Sequence, residues 1–167
     1  AFTIAMDAKN GAILGAYSIP TFDPNKRDVK LHIDPFINFC FEPGSTIKTF
    51  VLATAMEEGV WEPSTKAQSG KRVKKDWGTS NYIADWLYND FKQSWGKISW
   101  EQGFHVSSNT VMTHILDKIG YDTWKKYMKD KFAFGTKVES EFMESQACKY
   151  NPKWPLEVAN TSFGQGM

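Results

Sequence analysis

The chain has 167 residues, of which 41% are hydrophobic and 15% aromatic. This is enough apolar material for one sizeable core, but the chain is too short for two ordinary domains. Its 20 basic and 19 acidic residues leave a formal net charge of +1, which gives no long-range field to attract nucleic acid or an anionic membrane. We therefore expect a single domain or a piece of one, with no nucleic-acid partner.

The chain opens with a predicted β-hairpin. Residues 2–7 alternate large apolar with small or polar side chains, Asn10-Gly11 is a strong two-residue turn signal, and residues 12–17 form a second apolar run. Residues 18–41 contain Pro20, Pro24 and Pro35 without helical periodicity, which predicts an irregular segment. Because a strand begins almost at residue 1, we expect a further segment to precede this chain.

The next predicted element is a helix over residues 45–58, where Ile47, Phe50, Val51 and Ala55 recur at spacings of three and four. Gly59 suits its end. Residues 62–98 are rich in Lys, Gly, Ser and Asn, which predicts a long surface excursion with short elements.

Three further helices are predicted in the second half of the chain. Ser99-Trp100-Glu101-Gln102 has the capping-box pattern and opens a short helix ending near His105. An apolar face then predicts a helix closed by Gly120; its residues are Val111, Met112, Ile115, Leu116 and Ile119. Asp122 or Thr123 is expected to cap the third helix, before a turn near Gly135. A hairpin followed by several helices favours an α+β fold in which helix predominates.

Residues that bind metals or form disulfides are sparse. Cys40 and Cys148 lie far apart and match no metal-binding spacing, so they identify neither a disulfide framework nor a zinc site. Isolated cysteines are usually buried, and we expect two buried free thiols, although the sequence leaves their pairing open. The three histidines, His32, His105 and His114, are scattered. We therefore do not expect a metal enzyme.

The run Glu42-Pro43-Gly44-Ser45-Thr46-Ile47-Lys48 predicts a nucleophile and its base. Residues three apart on a helix share one face, so Lys48 can lie beside the Ser45 hydroxyl. A serine needs a base to remove its proton, and a lysine serves only when its pKa is depressed, chiefly by burial. The backbone N–H of Ser45 would supply one donor of an oxyanion hole.

Four other interpretations of these residues remain open. Ser45 would serve equally as a helix N-cap, and Lys48 as a solvated surface charge. A phosphate-binding loop is disfavoured because Ile47 stands where that motif needs glycine. A cysteine hydrolase based on Cys40 lacks any associated histidine signature.

A second constellation, Ser107-Ser108-Asn109, falls at the break between two predicted helices. It would offer a hydroxyl for relaying protons and a carboxamide for orienting a peptide. Alternatively, Ser108 or Asn109 merely caps the following helix. Together with the upstream Ser-x-x-Lys, Ser-x-Asn matches two of the three motifs of penicillin-recognising serine enzymes.

With these two motifs the sequence resembles the class B penicillin-binding proteins, in particular division-type transpeptidases similar to penicillin-binding protein 2x. The matching segments run in order through nearly the whole chain. They are residues 5–14 for the opening hairpin, 20–25 after it, 42–48 with 57–60 for the nucleophile helix, 102–109 for the second motif, and Ser162-Phe163-Gly164-Gln165-Gly166 near the end.

The resemblance implies a role for each matched residue. Ser45 corresponds to the acylated serine, Lys48 to its base, Ser107 to the proton-relaying hydroxyl and Asn109 to the group that holds the substrate backbone. Ser108 and Thr110 are expected near the substrate. Trp86 resembles an aromatic residue at the cleft rim, although Asp76-Trp77 offers a competing alignment and either tryptophan would also suit a core position.

The implied reaction is D,D-transpeptidation of peptidoglycan stem peptides, with β-lactams acylating the same serine and no cofactor or metal required. The implied partners are glycosyltransferases of cell division or elongation. The resemblance also implies that the full-length protein acts on the outer face of the bacterial membrane. A membrane anchor would lie upstream of Ala1. The alternatives are a β-lactamase, a β-lactam sensor, or a non-catalytic binding module on the same fold.

One family motif is missing. Neither Lys-Thr-Gly nor Lys-Ser-Gly occurs in this sequence, and in the family that motif lies on an inner strand and completes the oxyanion hole. We therefore expect residues 1–167 to be the N-terminal portion of one transpeptidase domain, completed by a C-terminal remainder. The sheet should be incomplete, with unpaired edges, and the fragment alone inactive.

Overall fold

The structure is a computed structural model that describes residues 1–19, 21, 23, 25–26, 38–137 and 148–167. Pro20, Pro24, Pro35 and His32 lie outside the described residues, so the predicted irregular segment stays a prediction. The chain divides into two compact units. The first comprises Ala1–Phe41 and Thr136–Cys148, and the second comprises Glu42–Gly135 and Lys149–Met167.

The first unit contains the predicted hairpin, which is confirmed. Strands β1 (Phe2–Met6) and β2 (Ile13–Ser18) pair antiparallel, with a bulge after Ala5. Among the described residues the hairpin pairs with no third strand. Several of its large apolar side chains are exposed, namely Ile4, Met6, Ile13, Leu14 and Tyr17. These features agree with the expected incomplete sheet with unpaired edges.

The same unit corrects the expectation for the cysteines. Cys40 and Cys148 form a disulfide, with their Cα atoms 5.6 Å apart and a sequence separation of 108. The expectation of two buried free thiols is therefore wrong. Pairing depends on the distance between Cα atoms in the folded chain, which spacing along the sequence does not determine at this separation.

The second unit is rich in helix and carries two small pairs of antiparallel strands. Its helices and strands in chain order are α1 (Lys48–Glu57), β3 (Lys66–Gln68), β4 (Lys71–Arg72), β5 (Ile83–Ala84), α2 (Trp86–Phe91), β6 (Lys97–Ser99), α3 (Trp100–His105), α4 (Asn109–Ile119), α5 (Tyr121–Lys126) and α6 (Pro155–Thr161). Strand β3 pairs with β6, and β4 pairs with β5. Short turns of 3-10 helix cover Gly44–Ile47 and Lys75–Trp77, and a π-helical turn covers Tyr127–Lys131.

Local sequence signals set several helix ends as predicted. The capping box of α3 is present: the Ser99 hydroxyl accepts from the Gln102 N–H at 3.1 Å, and the Gln102 side chain accepts from the Ser99 N–H at 3.0 Å. Helix α4 ends before Gly120, whose φ of 88° few other residues adopt. The predicted cap at Asp122 or Thr123 is wrong, because α5 starts directly after Gly120 and has no side-chain cap.

The core of the second unit lies around α4, which packs against α1, α3 and α5. Its most deeply buried apolar residues are Ile47, Val51, Ala55, Val111, Met112, Ile115, Leu116, Trp124, Met128 and Ala159. The predicted excursion over residues 62–98 does carry short elements, but it also contributes to this interior through Trp77 and Ile83. No helix within the described ranges is long and apolar enough to cross a membrane.

Candidate active site

The predicted nucleophile lies in the 3-10 turn just before α1. Ser45 is exposed there, and Lys48 is the first residue of α1. Neither the turn nor the helix has a side-chain cap, so Ser45 does not act as an N-cap. Its hydroxyl is left accessible to a substrate.

Lys48 is buried, with only 2% of its surface exposed. Its ammonium group donates to the Ser107 carbonyl oxygen at 2.7 Å and to Ser107 Oγ at 2.9 Å. Ser107 Oγ in turn donates to Ser45 Oγ at 3.3 Å. The sequence indicated that Lys48 can lie beside Ser45, and in the structure the Ser107 hydroxyl connects the two. The alternative of a solvated surface lysine is wrong.

The environment of Lys48 alters its acidity. Burial lowers its pKa from 10.5 to about 8, and the negative charge of Asp85 partly opposes this effect. A pKa near 8 leaves roughly one molecule in ten with a neutral amine at pH 7. Lys48 is therefore able to accept a proton near neutral pH, which an ordinary lysine cannot do to a useful extent.

The geometry of Ser107 explains how it reaches Lys48 with two oxygen atoms. It lies between α3 and α4 with a φ of 57°, in the left-handed region that non-glycine residues seldom occupy. Such a conformation costs on the order of 1 kcal/mol and persists only where the surroundings enforce it. Here it brings both the carbonyl and the hydroxyl of one residue to the same ammonium group.

The three residues after Ser107 differ in how deeply they are buried. Asn109 is half-buried, and its amide donates to the Ala84 carbonyl at 3.2 Å. Ser108 caps α4 by accepting from the Val111 N–H at 3.1 Å. Ser108 and Thr110 are completely buried and form hydrogen bonds within the protein. Their predicted role in substrate binding stays a prediction.

Asp85 is a site residue that the sequence analysis missed. It is fully buried, and its carboxylate accepts hydrogen bonds from Gly70, Ser108 and Thr110. The only sequence signal was an aspartate between the apolar pair Ile83-Ala84 and Trp86, where the structure starts helix α2. An aspartate in that place is also typical of a solvated helix cap, so only the fold distinguishes the two cases.

The structure places the two competing tryptophans differently. Trp86, at the start of α2, is half exposed and makes an edge-to-face contact with Trp95, with ring centroids 5.6 Å apart. Trp77 is buried, and its indole N–H donates to the Tyr121 hydroxyl at 3.0 Å. Trp77 is thus a core residue, and Trp86 is the one available at a surface.

The run that ends the chain packs on the nucleophile turn. The Gly44 N–H donates to the Gly164 carbonyl at 3.0 Å, and the Gly166 N–H donates to the Glu42 carboxylate at 2.6 Å. A Cβ atom at Gly164 would lie only 1.9 Å from the Gly44 carbonyl oxygen. The glycine at position 164 is therefore required by close backbone approach, and residues 164–166 hold the chain directly before Ser45.

This arrangement suits acyl transfer. An exposed serine hydroxyl is linked through a second hydroxyl to a buried amine with a lowered pKa, which provides a path for a proton in either direction. Among the described residues, no group of three or more His, Cys, Asp or Glu side chains is placed to hold a metal ion.

Comparison with known proteins places this geometry in a family. The family model described as the penicillin binding protein transpeptidase domain matches residues 1–167. Penicillin-binding protein 3 of Bacillus subtilis is 28% identical over 180 residues, covering 98% of this chain and 26% of that protein.

Two further relatives agree with this match. Peptidoglycan D,D-transpeptidase MrdA of Acinetobacter baumannii is 25% identical over 179 residues, covering 98% of this chain and 26% of that protein. The crystal structure of penicillin binding protein 2X from Streptococcus thermophilus matches with a TM-score of 0.76 and 25% identity, covering 99% of this chain and 24% of that one. The chain thus spans about a quarter of the length of these relatives. It belongs to the penicillin-binding protein transpeptidase domain family, which confirms the α+β fold and the class B resemblance seen in its sequence.

Proposed function

We propose that this chain is the N-terminal portion of the catalytic domain of a serine D,D-transpeptidase, which cross-links peptidoglycan stem peptides through an acyl-enzyme. The observation that carries the proposal is the hydrogen-bonded series from the buried Lys48 through Ser107 to the exposed Ser45. Membership of the transpeptidase family supports it, as does the D,D-transpeptidase activity for which the Acinetobacter relative is named.

In the first half-reaction, Ser45 Oγ attacks the carbonyl carbon between the two terminal D-alanines. Its proton passes to Ser107 Oγ, which gives its own proton to the neutral amine of Lys48. The tetrahedral intermediate then collapses, the peptide C–N bond breaks, and the proton returns along the same path to the departing D-alanine nitrogen. An ester between Ser45 and the shortened stem peptide remains.

In the second half-reaction, the amine of another stem peptide attacks this ester. Lys48 and Ser107 accept the proton that the amine loses and return it to Ser45 Oγ as the ester bond breaks. β-Lactams would form the same ester by ring opening, which retains the leaving group in the molecule. Asn109, at the start of α4, would orient the peptide backbone through its amide, and Trp86 would border the cleft.

The proposal also covers what lies outside these residues. The sequence has no Lys-Thr-Gly or Lys-Ser-Gly run, so the second oxyanion donor would come from a C-terminal remainder of the domain. Removing one such donor typically costs about 100- to 1,000-fold in rate, and residues 1–167 alone would be inactive. We place the full-length protein on the outer face of the bacterial membrane, working with glycosyltransferases of cell division or elongation.

Incubation of the full-length protein with fluorescent penicillin, followed by mass spectrometry of the labelled peptide, tests this function. We expect one covalent adduct on Ser45, its loss in Ser45→Ala, and its retention in the control Ser64→Ala, which alters another exposed serine. An adduct that persists in Ser45→Ala would contradict the assignment. Rapid turnover of the penicillin would favour a β-lactamase, and the absence of any adduct would favour a non-catalytic binding module.

A further inference from the structure

We propose that Asp85 is a positioning residue for acylation: its buried carboxylate fixes the start of α4 and so holds Ser107 and Asn109 in their working positions. This inference rests on the proposed function, since it concerns the same site. Asp85 itself touches neither the nucleophile nor a substrate in this scheme and acts through the segment of residues 107–110.

The hydrogen bonds to Asp85 are unusually complete. One carboxylate oxygen accepts from the Gly70 N–H at 2.7 Å and from the Thr110 hydroxyl at 2.9 Å. The other oxygen accepts from the Thr110 N–H at 2.9 Å. The Ser108 hydroxyl lies 3.0 Å from both oxygens. A fully buried carboxylate without such donors would cost several kcal/mol, so the cluster is stable only when all its members are in place.

These bonds join two segments of the chain that are far apart in sequence. Gly70 follows β3, whereas Ser108 and Thr110 begin α4, and Asp85 joins them through one side chain. The carbonyl of the preceding residue, Ala84, accepts from the Asn109 amide. Asp85 and Ala84 therefore hold all three residues from 108 to 110, and Asn109 cannot shift without breaking several bonds.

Ser107 depends on the same anchor. Its neighbour Ser108 both donates to Asp85 and caps α4 by accepting from Val111, so the direction of the chain at Ser107 is fixed from the C-terminal side. The uncommon φ of 57° at Ser107 requires such support. A misplacement of about 1 Å in a catalytic group can cost about 100-fold in rate.

Asp85 also acts on the base through its charge. Burial lowers the pKa of Lys48, and the charge of Asp85 opposes that effect. The other ionisable groups on α4, which packs against α1, have partners of their own. Asp117 pairs with Arg72 and Lys74, and the pKa of His114 is lowered chiefly by burial and then by the charge of Arg72. The remaining one, Lys118, is exposed. Asp85 is thus the charge whose removal should alter Lys48.

The variant Asp85→Asn preserves shape and removes the charge. Its amide group would face either the Gly70 N–H or the Thr110 N–H, since each carboxylate oxygen accepts from one of these backbone donors. One donor then loses its acceptor in either orientation, while the Ser108 and Thr110 hydroxyls can rotate to accept from the amide. The variant therefore loosens the segment and removes the charge together. Thr110→Val removes the two hydrogen bonds of the Thr110 hydroxyl, with Asp85 and with Ser108, and leaves the charge.

The test measures the rate constant for acylation of the full-length protein by fluorescent penicillin between pH 6 and pH 10. In Asp85→Asn we expect the acylation rate constant to be at least tenfold lower. The pH at the midpoint of the rising part of the rate profile should be lower by at least about half a pH unit. Thr110→Val should lower the rate severalfold and leave the midpoint unchanged. The control is Asp117→Asn, which alters a carboxylate that pairs with Arg72 and Lys74. Its acylation rate constant should stay within twofold of the wild type, and the midpoint of its pH profile should not change.

Either a wild-type acylation rate or an unchanged midpoint in Asp85→Asn would overturn the inference. The midpoint is the more specific readout, because a merely structural role would not alter the pKa of Lys48. If Asp85→Asn does not fold, a wild-type rate in Thr110→Val overturns it and a lower rate supports it. If the wild-type protein is never acylated, the proposed function fails separately. In that case the effect of Asp85 on Lys48 is measured by the pH dependence of Lys48 modification with acetic anhydride, followed by mass spectrometry. A lower pKa of Lys48 in Asp85→Asn than in the wild type supports the inference, and an equal pKa overturns it.

Discussion

Replacing Lys48 with methionine should make the protein more stable at neutral pH while abolishing acylation. In the folded protein the pKa of Lys48 is about 8, against 10.5 for an ordinary lysine. At 1.36 kcal/mol for each unit, the folded state at pH 7 bears a cost of about 3 kcal/mol for keeping this group charged. Methionine has a similar length and no charge, so the variant avoids that cost.

The gain is partly offset. The Lys48 ammonium donates two hydrogen bonds to Ser107. Because Ser107 is only half-buried, leaving each of these acceptors unpaired costs about 1 kcal/mol, the low end of the usual range. We therefore expect a net stabilisation of about 1 kcal/mol at pH 7. This is the exchange of stability for function that buried catalytic charges typically impose.

The pH dependence distinguishes this explanation from better packing by methionine. Between pH 8 and pH 10.5 the unfolded wild-type chain holds a proton on Lys48 that the folded protein has released, so wild-type stability rises with pH in this window. The advantage of Lys48→Met should therefore shrink by about 2 kcal/mol between pH 7 and pH 10. Equilibrium urea unfolding of the full-length proteins, followed by tryptophan fluorescence, measures both differences.

The control is Lys118→Met, which alters an exposed lysine of α4 and should change stability by no more than about 0.5 kcal/mol at either pH. If Lys48→Met were less stable than the wild type at pH 7 by an amount that is the same at pH 10, the reasoning about a buried ammonium would be refuted.

Three further predictions concern the base, the nucleophile turn and the cysteines. The acylation rate of the wild type should rise about tenfold from pH 7 towards a plateau above pH 8, because Lys48 loses its proton near pH 8; a rate that is flat from pH 6 to pH 9 would remove Lys48 as the base. Gly164→Ala should lower acylation at least tenfold, since its Cβ would collide with the nucleophile turn. Gly166→Ala, which has a similar positive φ but open space around it, should cost only about 1 kcal/mol of stability and is the matched control; equal acylation in the two variants would refute the collision. Mass spectrometry without reductant should find Cys40 and Cys148 in one linked pair of peptides, and two alkylated free thiols would contradict this.

The sequence by itself determined the parts of this protein that depend on neighbouring residues. The hairpin around Asn10-Gly11, the capping box at Ser99 and the end of α4 at Gly120 were all predictable, because turns and helix caps involve residues only a few positions apart. The spacing of Ser45 and Lys48 is likewise a local feature, because the two residues are only three positions apart. The helix boundary was less well predicted, since Ser45 lies in a 3-10 turn that precedes α1.

The tertiary structure decided the features that join distant parts of the chain. Ser107 stands between Lys48 and Ser45 across some 60 residues of sequence, and Asp85 reaches Ser108 and Thr110 across 23 and 25 residues. The disulfide and the choice between Trp77 and Trp86 are of the same kind. Each depends on which side chains become buried and which come within bonding distance after the chain has folded. Patterns of residue type along the sequence identify candidates for such contacts, but burial in the folded protein selects among them.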